Sequence, residues 1–323
     1  MHQITDFDPD FLPQLPSAPA YGFGRCDCSG CRPTSPQRRL FTGLLSLGGT
    51  VAAMPAWARE GVDVGQQSRF TKLVSAEEVE AAAAQQYLQI QREAAQQNAL
   101  LPADHPQVQR LRAIAKRIIP QSLPWNPRAK QWRWEVNVIN SAQLNAFCMP
   151  GGKIAFYYGI LVKLKLTDDE VATIMGHEVA HALREHARER MGKTAATRIG
   201  ASLVSSLLGL GNTGDALLNM GGQILTLKFS REDETEADLV GMELAARAGY
   251  NPAAGISLWQ KMAEASKGAP PQWLSTHPAG PTRIKDIEAN LPKVEGLYAR
   301  AEKPAMRFDV AQALRGPELT EGR

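Results

Sequence analysis

The sequence has few cysteines, no long apolar runs and little excess of positive over negative charge. It has 323 residues, four cysteines and a formal net charge of only +3. Three of the cysteines, Cys26, Cys28 and Cys31, lie close together near the N-terminus. If that region is removed on export, Cys148 alone remains and no intramolecular disulfide can form. The weak basicity argues against a nucleic-acid partner.

The N-terminal region has an apolar stretch that is too short to cross a bilayer, which takes about 20 residues. This stretch, 44–53, follows the pair Arg38-Arg39 and precedes an A-x-A site at 56–58. These features predict that residues 1–58 are a twin-arginine export signal and that the mature protein is periplasmic. The alternative is a short apolar helix behind a disordered arm. No transmembrane segment is expected after cleavage, and peripheral membrane association is left open.

The sequence does contain the pattern H-E-x-x-H, from His177 through Glu178 to His181. On a helix the two histidines share one face, and Glu178 lies about 100° round from His177. This spacing offers two imidazoles to one zinc ion and a carboxylate to a water molecule. Thr167 as N-cap and an acidic first turn predict the helix. The alternative is an ordinary amphipathic helix that carries histidines.

A catalytic zinc site needs a third protein ligand and an open position. On a continuous helix, His186 would project about 140° away from the ligand face, so it is predicted to be a surface residue. An acidic run about fifty residues downstream offers two pairs one turn apart, Glu234 with Asp238 and Glu232 with Glu236. Spacing alone leaves the choice between these pairs open, and acidic clusters are usually solvated.

The remaining patterns predict an α+β fold that is mainly helical, with a small sheet and hairpin beside the H-E-x-x-H helix. The domain organisation expected after the signal is an N-terminal helical segment, a metallopeptidase domain and a polar tail, at 59–102, 103–300 and 301–323. The predicted helices run over 75–100, 105–119, 188–210, 216–248, 252–266 and 281–291, and the predicted strands lie in 130–140 and in a hairpin at 145–158.

Several motifs follow one another in an order that is known from one family. They are Asn145-Ala-Phe, Pro150-Gly-Gly, His177-Glu-Val-Ala-His181, Glu234-Thr-Glu-Ala-Asp238, Ala248-Gly-Tyr-Asn-Pro252 and Ser275-Thr-His-Pro278 with Arg283-Ile284. Together they resemble the zinc metallopeptidase family of HtpX, the CAAX prenyl protease and the periplasmic BepA, the minigluzincins. The resemblance covers about 103–291. It is nearest to the soluble exported members, because the spanning helices of the membrane members are lacking.

The resemblance implies a zincin-like catalytic domain with one Zn²⁺ per chain. The family's ligands fall on His177, His181 and Glu234, and Asp238 would accept a hydrogen bond from a ligand histidine. Zinc would lower the pKa of its bound water towards about 7 and polarise the scissile carbonyl. Glu178 would take the water proton as general base and pass it to the leaving amine.

Further site residues are expected around this centre. His277 and Arg283 would lie near the developing oxyanion, if their segment packs over the cleft as in relatives. Asn145 and Ala146, at the edge of the hairpin, would bind the substrate strand. His277 has a second reading, in which it occupies the fourth zinc position and inhibits the resting enzyme.

The expected function is therefore zinc-dependent endopeptidase activity on misfolded or envelope proteins, with unfolded or misassembled proteins as partners. The alternative is a non-catalytic zinc-stabilised chaperone or binding module in the cell envelope. An intact Glu178 argues against that alternative, because a structural site has no use for the carboxylate and would be closed by a fourth ligand.

Overall fold

Helix α4, Asp168–Leu183, is the central element of the computed structural model and carries the H-E-x-x-H pattern. The structure describes residues 60–207, 224, 227–267, 271–277 and 282–308, excepting the side chains of 198–207. Thr167 caps α4 and forms a capping box with Glu170, so the backbone N–H groups of the first turn are satisfied. Both ligand-pattern histidines are fully inside the protein.

Nine other helices are present in the described part of the chain. They are α1 (Ala76–Gln96), α2 (Pro106–Ile118), α3 (Tyr158–Lys163), α5 (His186–Leu207), α6 (Arg231–Arg247), α7 (Ala254–Ala265), α8 (Trp273–Thr276), α9 (Arg283–Asn290) and α10 (Pro292–Arg300). Short 3-10 helices cover Arg69–Leu73, Ile119–Ser122 and Pro127–Gln131. The predicted α+β, mainly helical fold class is confirmed.

Among the described residues the sheet has three strands, β1 (Glu135–Ile139), β2 (Ala146–Met149) and β3 (Lys153–Tyr157), in the order β1-β3-β2. β1 pairs with β3 in parallel, and β2 pairs with β3 antiparallel. The predicted hairpin turn contains Gly151 and Gly152 at φ +82° and +77°, a conformation that glycine adopts without strain. Because β2 ends the strand order, it is an edge strand of the sheet in the described part of the chain.

The two faces of the sheet pack against different helices. Cys148 of β2 and Phe156 of β3 share a core with α4. Phe147, the intervening residue of β2, shares a second core with Tyr87 of α1. Because successive side chains of a strand point to opposite faces, the sheet lies between α4 and α1. The domain boundary predicted at residue 102 stays a prediction. Helix α1 lies before that boundary, yet it packs against the sheet that lies after it.

Two predicted elements begin later than expected. The helix predicted over 216–248 begins at Arg231, because the Ser230 side chain accepts a hydrogen bond from the Asp233 N–H and caps it; residues 227–230 are irregular. The strand predicted from residue 130 begins at Glu135, because Pro127–Gln131 forms a 3-10 helix capped by Asn126.

The predicted export signal, 1–58, lies outside the described residues. Within the described part of the chain, the helices do not combine the length and the apolar character needed to cross a membrane.

Candidate metal centre and active site

Two glycines bring α4 and α6 into backbone contact. A Cβ on Gly176 would lie 2.6 Å from the carbonyl oxygen of Gly241, and a Cβ on Gly241 would lie 2.6 Å from the amide nitrogen of His177. A side chain at either position would push the helices apart. This close approach places Glu234 and Asp238, on the first turns of α6, beside the histidines of α4.

Four buried side chains converge at this crossing, namely His177, His181, Glu234 and His277, with ligand atoms within 4.8 Å of one another. His177 Nε2 is 3.1 Å from His181 Nε2 and 3.3 Å from His277 Nδ1. His181 Nε2 is 3.4 Å from Glu234 Oε1, which is 3.0 Å from His277 Nδ1. Zn–N bonds of about 2.0–2.1 Å give tetrahedron edges of about 3.3–3.4 Å. Both the donor set and the spacing fit zinc.

The protonation of Glu234 and His181 also suits a metal. Burial would raise the pKa of Glu234, but hydrogen bonds from His181 and His277 hold it well below its ordinary value. Burial lowers the pKa of His181 well below the ordinary value. An anionic carboxylate and a neutral imidazole are the forms that bind zinc. For His277, burial lowers the pKa, but the charges of Glu178 and Glu234 outweigh it and the net shift is upward.

Asp238 and Arg283 support the cluster from behind. His177 Nδ1 is 2.9 Å from Asp238 Oδ1, and Arg283 donates to both oxygens of Asp238 at 2.6 and 2.7 Å. Arg283 also donates to Glu234 Oε2 at 2.8 Å. Burial would raise the pKa of Asp238, but the charge of Arg283 and the His177 hydrogen bond keep it low.

The geometry does not match the oxyanion role predicted for Arg283. Its guanidinium is bound by two carboxylates and lies over the Trp259 ring, 3.7 Å from the centroid. It does not line the cavity described below. Arg283 is therefore placed to orient Asp238 and Glu234.

Glu178 has a partner that the sequence patterns did not reveal. The indole N–H of Trp273 donates to Glu178 Oε1 at 2.5 Å, and His277 Nε2 lies 3.5 Å from the same oxygen. Trp273 stands four residues before His277, and the His277 N–H donates to the Trp273 carbonyl. That i, i+4 spacing places Trp273 near His277 but does not by itself point to Glu178. Phe229, which stacks on His181 at 4.1 Å, left no comparable signal.

A cavity joins the carboxylate of Glu178 to the edge strand. Its lining includes Asn145 and Ala146 at the start of β2, Glu178 and His181 from α4, and His277. Another wall is apolar and is formed in part by Phe147, Ala187, Leu227 and Phe229. The structure thus brings the two residues predicted to bind substrate to the same space as Glu178.

The prediction that His186 lies at the surface of a continuous helix is wrong. α4 ends at Leu183, and Glu185 adopts the left-handed conformation at φ +59°. This turn folds His186 back, so that it is 1% exposed and its Nδ1 lies 2.8 Å from His181 Nδ1. The prediction assumed a continuous helix, whereas a non-glycine residue can adopt the left-handed conformation at modest cost and end the helix.

The helix with H-E-x-x-H, the glutamate from a second helix and the cavity at an edge strand define a zinc metallopeptidase. The profile of peptidase family M48 matches residues 105–291, and the chain belongs to this family. The predicted enzyme class, a metal-dependent hydrolase of peptide bonds, and the predicted zinc cofactor are thereby confirmed.

Curated relatives refine this assignment. The chain is 37% identical over 199 residues to mitochondrial metalloendopeptidase OMA1 of Schizosaccharomyces pombe, covering 61% of this chain and 56% of the relative. It is 39% identical over 178 residues to that of Arabidopsis thaliana, covering 55% and 36%. The beta-barrel assembly-enhancing protease of Yersinia pestis is 28% identical over 159 residues, covering 46% and 32%.

These relatives correct the predicted localisation. The matches of higher identity are to proteins named mitochondrial, so the prediction of a periplasmic protein is wrong. The predicted nearness to exported members is likewise not supported, since the bacterial protease is the more distant match. The short N-terminal pattern of arginines, apolar residues and alanines was too unspecific to decide a compartment.

Proposed function

We propose that this protein is a zinc-dependent endopeptidase that cleaves extended segments of unfolded or misassembled proteins. The observation that carries the proposal is the position of Glu178, which lies beside the ligand cluster and in the same cavity as the edge of β2. The substrates are not assigned to the cell envelope, because the relatives of higher identity are named mitochondrial.

His177, His181 and Glu234 would hold the zinc ion. When bound, zinc supplies a Lewis acid that polarises the scissile carbonyl and acidifies a water molecule. Glu178 removes a proton from the attacking water as the C–O bond forms, and it then delivers that proton to the nitrogen of the leaving amine as the C–N bond breaks. Trp273 holds Glu178 Oε1 by a hydrogen bond and so fixes the carboxylate's orientation.

Substrate would bind by extending the sheet at β2. An edge strand offers backbone N–H and C=O groups to an extended peptide, and alternate peptide side chains then enter neighbouring pockets. Beside β2, the wall with Phe147, Leu227 and Phe229 would accept an apolar side chain. Folded proteins rarely present such a segment, which favours unfolded or misassembled substrates.

His277 would act as a removable fourth ligand in the resting enzyme. Its Nδ1 is within the ligand cluster, whereas a catalytic zinc site keeps one position open. Replacing His277 by alanine should therefore raise peptide cleavage severalfold at equal zinc occupancy. A fall on the order of a hundredfold would instead assign His277 as a hydrogen-bond donor to the transition state.

The four-ligand cluster also favours a second candidate, a non-catalytic zinc-stabilised chaperone or binding module, because structural zinc sites have four protein ligands. Casein cleavage by the purified full chain separates the two. The peptidase should lose activity on chelation and regain it with about one zinc per chain. A zinc-loaded parent and a zinc-loaded His277→Ala variant that both fail to cleave would support the binding module.

A further inference from the structure

His186 connects a zinc ligand to groups outside the ligand cluster. Its Nδ1 is 2.8 Å from the Nδ1 of His181, and the two rings meet edge to face with centroids 4.9 Å apart. The ring is 1% exposed. The left-handed turn at Glu185 is what brings this side chain back to α4, so the contact is part of the chain's fold.

The proton on His181 sets the direction of this hydrogen bond. His181 Nε2 faces the cluster, 3.1 Å from His177 Nε2 and 3.4 Å from Glu234 Oε1. A neutral imidazole that binds metal through Nε2 carries its proton on Nδ1. His181 Nδ1 therefore donates to His186 Nδ1, and His186 carries its own proton on Nε2.

A carboxylate and an arginine lie at the far side of His186. His186 Nε2 is 3.5 Å from Glu236 Oε2, which is longer than a formed hydrogen bond, so this contact is electrostatic. Arg184 donates to Glu236 Oε1 and, at 3.0 Å, to the carbonyl oxygen of Gly65. Glu236 is thus held in place and presents negative charge to the His186 N–H.

The other ligand histidine of α4 is supported by the same chemistry without an intervening ring. His177 Nδ1 donates to Asp238 Oδ1 at 2.9 Å, and Arg283 holds Asp238. Each of the two histidines therefore has a carboxylate and an arginine behind it. For His181, one imidazole is inserted between the ligand and the carboxylate.

We propose that His186 is a positioning residue for the zinc ligand His181. It accepts the Nδ1 proton of His181, which fixes the tautomer that leaves Nε2 free for the metal, and it holds the plane of the ring. The proposal rests on the proposed function, because it assigns a support to one of the zinc ligands named there. Removing a partner of this kind costs about 10–100-fold in metal affinity.

Two amide variants of His186 test the proposal. The oxygen of asparagine can take the place of Nδ1, whereas the amide of glutamine extends towards Nε2. Zinc dissociation constants of the full chain would be measured by competition with a chromophoric chelator, alongside thermal unfolding of the zinc-free forms. We expect His186→Gln to weaken zinc binding by about 10–100-fold and His186→Asn to stay within about threefold of the parent. His186→Leu should resemble the glutamine variant.

Two results would overturn the proposal. In the first, His186→Gln binds zinc as tightly as the parent. In the second, the asparagine and glutamine variants weaken binding equally, which would show that packing and not the acceptor at Nδ1 matters. If His186→Leu does not fold, the comparison of the two amides still decides. A parent that binds zinc but cleaves no protein would end the proposed function and leave these affinities, and the role of His186, unaffected.

Discussion

Both halves of helix α4 bury ionisable side chains, but these side chains are paired in different ways. In the first half every buried carboxylate meets a cation. Asp168 Oδ1 is 2.6 Å from Arg110 Nε, and Glu170 Oε2 is 2.7 Å from Lys261 Nζ. In the second half the ring nitrogens of His177 and His181 face each other across 3.1 Å.

The positions of the imidazole protons explain this difference. In the tautomer that binds zinc, His177 and His181 would each place the Nδ1 proton on an outer acceptor, Asp238 or His186. Both Nε2 atoms would then present lone pairs instead of donating a proton to the anionic Glu234 beside them. Such an arrangement is favourable once a cation lies between the groups. Buried charges that are paired within the protein contribute to the stability of the fold. Buried nitrogen and oxygen lone pairs that converge with no proton between them form a site for a metal ion.

The largest expected effect separates the two glutamates of α6 that spacing alone could not distinguish. Glu234→Ala removes a ligand and should weaken zinc binding by more than the ~10–100-fold typical of outer partners. Glu236→Ala removes the charge behind His186 and the partner of Arg184 but no ligand, and it should cost less. Chelator competition on both variants gives the measurement. Tighter zinc binding by Glu234→Ala than by Glu236→Ala would place the ligand two residues later on the helix.

A second effect, on stability alone, is expected in the first half of α4. Asp168→Asn leaves Arg110 buried without its charged partner and should destabilise the fold by about 3–5 kcal/mol. Asp169→Asn is the matched control, since its pair with Arg307 is partly exposed and should contribute about 1 kcal/mol or less. Denaturant unfolding of the zinc-free chain measures both. Equal losses would show that burial of the pair does not matter.

The smallest expected effect depends on pH. Burial raises the pKa of Glu170, but hydrogen bonds from Lys261 and Thr167 outweigh it and leave the pKa below the ordinary 4.5. A carboxylate with a lowered folded pKa contributes stability above its unfolded pKa and loses it as the pH falls through the folded value. Glu170→Gln should therefore cost about 1–2 kcal/mol near pH 7. Urea unfolding should show the difference shrinking below about pH 4.5, and a constant difference would contradict the ion pair.

The local part of the site could be predicted from the sequence, and the part made by chain reversals could not. His177, Glu178 and His181 follow from helical spacing because they lie on one unbroken helix. Trp273 reaches Glu178 from 95 residues away, and no periodicity reports such a contact. His186 was misplaced because one φ angle, at Glu185, reverses the chain without a glycine to signal it.

The fold was predictable to a similar extent. Hydrophobic periodicity, caps and turn residues indicate α4 and the hairpin, because the signals for these elements lie within the elements or directly beside them. The start of α6 depended on Ser230, one capping residue inside a longer helical pattern. The glycine pair Gly176 and Gly241, which sets the distance between the helices of the site, has meaning only once the two helices are known to cross.

The most direct test of the central claim is zinc content and casein cleavage measured on one preparation each of the parent and Glu178→Gln. If the second half of α4 is a catalytic zinc centre, both proteins should hold about one zinc per chain, and the variant should cleave at least about 10²–10⁴-fold more slowly. A zinc-loaded Glu178→Gln protein that cleaves as fast as the parent would contradict it.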